Sequence, residues 1–103
     1  MSAQLAISHG RTRDGSVVLL RLSGKLGAAT VAELQRVLGT GERRRALILD
    51  LSGVGSVDAV GLRALFGEYC DAAQRRCPFV FICPGPGIRN ALEAAGVEVD
   101  RVL

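Results

Sequence analysis

Tryptophan is absent from the chain, and aromatic residues number only four, three phenylalanines and Tyr69. Single-stranded nucleic acid is held by stacking its bases on aromatic platforms, so this scarcity argues against such a partner. A formal net charge of +3 is too small to replace stacking with backbone neutralisation. Histidine occurs once, as His9, and the three cysteines, Cys70, Cys77 and Cys83, lack metal-ligand spacing. Neither a metal nor another cofactor is expected. No apolar run approaches the ~18 residues that cross a bilayer, and the start lacks a basic-then-apolar leader pattern. The expected location is therefore the cytoplasm, without membrane insertion. A permanent disulfide is disfavoured there, so the plain reading of the thiols is burial or half-burial, and the sharper one a redox-sensing set.

What is present suits one globular domain, residues 1–103: 49% hydrophobic and 22% charged residues, with no repeat or linker. Gln4 to Ser8 reads as a weak strand, followed by the polar turn from Arg11 to Gly15 and a strong strand from Val17 to Leu22. Ser23 to Gly27 reads as a break. Thr30 and Glu33 stand at capping-box spacing ahead of a helix carrying Val31, Leu34 and Leu38 and closed by Gly39. Arg43, Arg44 and Arg45 read as a solvated turn before a buried strand, Ala46 to Leu51.

Leu62, Leu65, Phe66, Tyr69, Cys70 and Ala73 keep the spacing of one helical stripe, which places Cys70 toward the core and leaves Cys77 at the exposed end. Pro78 stops that helix. Phe79 to Cys83 is another strand, Pro84 to Gly87 a turn, and Ile88, Leu92 and Ala95 mark a short helix ended by Gly96. Val97 to Val102 is a terminal strand candidate. The alternation predicts an α/β fold, a mixed and mostly parallel sheet of about five strands with three helices gathered mainly on one face.

Between the third strand and the second helix the chain runs Ser52-Gly53-Val54-Gly55-Ser56-Val57-Asp58-Ala59-Val60-Gly61-Leu62. Asp58 is placed to cap the helix, because its carboxylate can accept the amides two or three residues on. Gly53 and Gly55 are expected to turn the backbone after the strand, and Gly61 to permit close approach of a partner backbone. With one distant histidine and no nucleophile–base pair, enzyme activity is not expected.

The stretch from Leu49 to Leu65 resembles the signature of STAS domains, the family of bacterial anti-sigma factor antagonists and sulfate-transporter tails, and the resemblance extends from about Gln4 to Val102. Phosphorylatable antagonists usually read Asp-Ser-Ser-Gly or Asp-Ser-Thr-Gly where this chain reads Asp58-Ala59-Val60-Gly61. Ala59 occupies the phosphoacceptor position and carries no hydroxyl. A second departure is Gly24-Lys25-Leu26-Gly27, where the family commonly has Gly-x-Leu-Asp.

The resemblance implies a regulatory protein-interaction module that binds a kinase-like anti-sigma factor and so releases a sigma factor, without the usual phosphate switch. It implies a docking surface drawn from Gly24, Gly27, Thr30, Ser56, Asp58, Ala59, Val60, Gly61, Leu62 and Arg63, on a monomer or weak homodimer. Ser56, Ser52 and Thr30 read as turn or cap residues rather than replacement acceptors. The alternative implied by the resemblance is an accessory subunit clamped on the ATPase of an ABC-type lipid transporter.

Overall fold

The computed structural model describes residues 5–38 and 46–99. Gln4, Gly39, the three arginines and the end of the terminal strand candidate lie outside them.

Alternation decides which face of each strand is buried. In β2 (Val17–Leu26), Val18, Leu20 and Leu22 point one way, and in β3 (Ala46–Val57), Leu47, Leu49 and Leu51 do the same. Phe79 and Phe81 of β4 (Phe79–Ile82) continue that face, and Leu5 and Ile7 of β1 (Leu5–Arg11) flank it. All join one core with Leu34 and Leu38 of α1 (Val31–Leu38), Leu65 and Ala72 of α2 (Ala59–Gln74), and Ile88 and Leu92 of α3 (Pro86–Ala94). The helices therefore gather on one face of the sheet. Each fully buried leucine contributes roughly 1.5–3 kcal/mol. Three of the four aromatic rings are spent together where α2 meets β4, with centroids 4.9 Å apart for Phe79–Phe81 and 6.1 Å for Tyr69–Phe81.

The strand order is β1-β2-β3-β4, with β1 antiparallel to β2 and the other pairs parallel. Of the expected last strand, Val97 to Val102, the described part contributes one parallel bridge, Val99 to Phe81. Among the described residues the sheet thus has four strands, with one isolated bridge at its edge. On the other face Arg21 reaches across to Asp50, Nε to Oδ2, at 3.2 Å. Burial of the Asp50 carboxyl opposes its ionisation, but the Ser52 amide and hydroxyl and then Arg21 outweigh it and hold the pKa below the ordinary value.

Two breaks expected from composition do not occur. Ser23, Gly24, Lys25 and Leu26 belong to β2, and Gly53 and Gly55 to β3, because the two strands pair with each other across two register shifts. Gly24 takes φ +107° at the second shift, a conformation that favours glycine. At Gly53 the backbones are crowded: a Cβ there would lie 2.8 Å from the Leu22 carbonyl oxygen.

The buried line of α2 is also rotated from the expected stripe. Gly61, Leu65 and Ala72 are buried, whereas Phe66 is 38% exposed and Ala73 is exposed. The cause is Gly61. A Cβ there would sit 2.8 Å from the Leu26 carbonyl carbon, so the helix is seated on β2 at a residue that hydropathy does not weight. Cys77 consequently packs against the core and Cys70 is only half-buried off the core line, reversing the expected placement; Cys83 is exposed.

Candidate functional site

Because β2, β3 and β4 run parallel, their C-terminal ends and the starts of the following helices lie along one edge of the sheet, where α/β folds place their recognition loops. That edge brings together three segments far apart in sequence: Gly24–Thr30, Ser56–Arg63 and the turn into α3.

Asp58 ties the first two together. It is the N-cap of α2, with φ −96° and ψ −179°, and Oδ1 accepts the Gly61 amide at 2.8 Å. Its other oxygen, Oδ2, accepts the Ala28 amide at 3.1 Å. The Asp58 amide in turn donates to the Leu26 carbonyl at 3.2 Å. The Gly61 amide and then the Ala28 amide stabilise the carboxylate and lower its pKa. Space for this latch exists because residue 27 is glycine: a Cβ on Gly27 would fall 2.8 Å from Asp58 Cγ.

Thr30 holds the β2–α1 turn from within. It is 4% exposed, and its hydroxyl accepts the Gly27 amide at 3.0 Å and donates to the Lys25 carbonyl at 2.8 Å. The expected capping box does not form, since the Glu33 carboxylate takes Arg36 at 2.8 Å instead. The turn offers the hydroxyl both a donor and an acceptor, which the helix start does not. Gly61 is likewise buried, and the backbone it admits is this chain's own Leu26 rather than a partner's.

The surface of the edge is formed by Ser56, Asp58, Ala59, Val60 and Arg63, all exposed, with Leu62 half-buried beneath. Val60 is 45% exposed, a large apolar side chain given to solvent at the first turn of α2. The third segment was not anticipated as part of the site. Gly85, Pro86, Gly87 and Ile88 face Val54–Ala59 and Leu62 across a cleft of about 490 Å³. The available signal was the parallel order of the third and fourth strands, which fixes their ends side by side. His9 sits elsewhere, opposite Leu20 in the hairpin. Among the described residues no group of three His, Cys, Asp or Glu side chains converges.

A four-stranded mixed sheet with helices on one face and a capped loop–helix junction at the strand ends defines the STAS class of fold. The family described as "Mlab, STAS domain" matches residues 9–103, and the chain belongs to the STAS domain family. No curated protein matches it. An anti-sigma factor antagonist from Mycobacterium paratuberculosis is similar in structure, with TM-score 0.80 and 22% identity over 97% of this chain and 88% of that one. The Bacillus cell fate determinant SpoIIAA in its phosphorylated form gives TM-score 0.75 and 17% identity, covering 93% of this chain and 92% of that one. The murine Solute Carrier 26 family member A9 anion transporter gives TM-score 0.65 and 22% identity, covering 79% of this chain but 14% of the transporter.

Proposed function

We propose that this protein acts by binding rather than catalysis, as an anti-sigma factor antagonist that occupies a kinase-like anti-sigma factor and thereby frees a sigma factor. The observation that carries this reading is the Asp58 latch, which joins the β2–α1 turn to the start of α2 as one rigid surface. Structural similarity to antagonists over nearly the whole chain supports it. With Ala59 at the family's acceptor position, the surface stays in its binding form whatever the kinase activity of the partner.

The test is capture on the tagged protein from its native lysate, under reducing conditions, with mass-spectrometric identification. A small kinase-like ATPase is expected, and the captured ATPase with ATP should leave the mass of this protein unchanged. A phosphate on Ser56 would overturn the switch-less reading. Repeating the capture with oxidised protein tests control by Cys70, Cys77 and Cys83; equal recovery removes it.

One observation favours a second reading. Val60 is apolar and 45% exposed, which suits a permanent complex better than a reversible one. Under that reading the partner is the ATPase of an ABC-type lipid transporter, and recovery of such an ATPase with its permease would replace the first.

A further inference from the structure

The cleft between the end of β3 and the start of α3 has apolar walls, Val54, Val57, Leu62, Ile88 and Ala91, and opens at the edge that carries the Asp58 latch. Three of its residues are glycines, Gly55, Gly85 and Gly87. None has a positive φ, and a Cβ on any of them would meet nothing within 4 Å. Their lack of side chains relieves no crowding inside this molecule; its effect is to keep the cleft open.

Around the opening two cations stand against one carboxylate. Lys25 lies beside Ser56 in the β2–β3 register, and Arg63 stands one helical turn beyond Ala59. Both are exposed, and neither forms an ion pair with the described residues. The one carboxylate lining the cleft, Asp58, is committed to the Gly61 and Ala28 amides. Two helices begin here, and the N-cap of α3, Gly85, supplies no side-chain acceptor. The positive end of α3 therefore adds to the two cations, while Asp58 offsets that of α2.

We infer that this cleft receives a single aliphatic side chain from an acidic segment of the partner protein, whose carboxylates lie over Lys25 and Arg63. The inference rests on the binding role proposed above and extends its surface from α2 across the cleft to α3. Neither of the exposed large apolar residues of α2, Val60 and Phe66, lines the cleft.

The test uses a synthetic acidic peptide with one leucine between glutamates, titrated into protein carrying labelled Ile, Leu and Val methyl groups. Saturable shifts are expected at Val57, Leu62 and Ile88. Replacing the peptide's leucine with alanine should weaken binding about tenfold or more, the loss expected for withdrawing a buried side chain. Gly87→Leu fills the cleft at a helical position where leucine is the better helix former, so the unfolding temperature should not fall while the shifts disappear. Lys25→Glu with Arg63→Glu should also abolish binding.

Equal binding of the leucine and alanine peptides, shifts confined to the Phe66 side of α2, or no saturable binding would each overturn the inference. The two proposals fail separately. Capture of the kinase-like ATPase by Gly87→Leu as strongly as by the native protein removes the cleft and leaves the antagonist reading. Peptide binding in the cleft without capture of such an ATPase removes the antagonist reading and leaves the cleft.

Discussion

Asp58 uses its two carboxylate oxygens for two different jobs, and separate substitutions can tell them apart. Asparagine keeps one acceptor oxygen, so Asp58→Asn should retain the cap on Gly61 while losing the bond to Ala28. Hydrogen exchange should show the Ala28 amide about tenfold less protected and Gly61 nearly unchanged, a loss of the size usual for a single cap bond. Gly27→Ala should expose the same Ala28 amide with Asp58 intact, because the new Cβ would lie 2.8 Å from Asp58 Cγ and push the carboxylate off that amide. Unchanged Ala28 protection in both variants would show that the latch does not hold in solution. The same chemistry sets an acid limb. Asp58 and Asp50 titrate below their ordinary value when folded, and Asp14 does so at about 2, held by the Ser16 amide and hydroxyl and the Thr12 hydroxyl. A depressed folded pKa gives stability that is complete above the unfolded value, about 3.9, and is lost as pH falls through the folded values. Urea midpoints should hold steady down to about pH 5 and decline below it, and Asp58→Asn should flatten part of that decline. A midpoint that rises on acidification would contradict the assignment.

Elements behave according to what their glycines touch. Gly61 is pressed against the Leu26 carbonyl group, so Gly61→Ala should destabilise by about 1–3 kcal/mol, the range of an overpacked core, and reseat the start of α2. Gly67 is the opposite case in the same helix. It is exposed, and a Cβ there meets nothing within 4 Å, so Gly67→Ala should stabilise by about 0.5–1 kcal/mol through helix propensity alone. Thermal unfolding of the pair should move in opposite directions; a shared sign would mean that α2 is seated differently. This contrast also explains what the sequence could and could not disclose. The alternating leucines of β3 and the aliphatic run of β2 made the strands and their buried face legible, and the apolar spacing of Val31, Leu34 and Leu38 and of Ile88 and Leu92 found α1 and α3. The register shifts that keep Ser23 to Leu26 in β2 were not legible, because pairing with β3 overrides local turn composition. The rotation of α2 was hidden too, since it follows from a glycine contact that carries no hydropathy. Asp58 was readable as a cap from its place alone, but its second bond, to Ala28, depends on a neighbour thirty residues away.

At the scale of the molecule, the parallel strands give it two unlike ends. The turn from Thr12 to Ser16 leads into β2 at its start, and Asp14 ties it locally to Thr12 and Ser16. The latch, Val60 and the cleft lie at the finish of the same strand, ten residues on, a span of roughly 30 Å in extended chain. Charge introduced at one end should therefore act on partner binding and at the other end should not, since that span exceeds the ~8 Å screening length at physiological salt about fourfold. Ala59→Glu places a carboxylate beside Asp58 and against the proposed docking surface, whereas Arg13→Glu changes charge by a larger amount in the distant turn. Titration calorimetry with the captured ATPase should show affinity lowered on the order of a hundredfold by Ala59→Glu, as expected for a charge buried without a partner at an interface. Arg13→Glu should leave it within about twofold, as for a charge outside the contact. Circular dichroism should find both folds intact, because residues 13 and 59 are exposed. If Arg13→Glu weakens binding as much as Ala59→Glu, recognition depends on the net charge of the whole protein and not on the edge where the three segments meet.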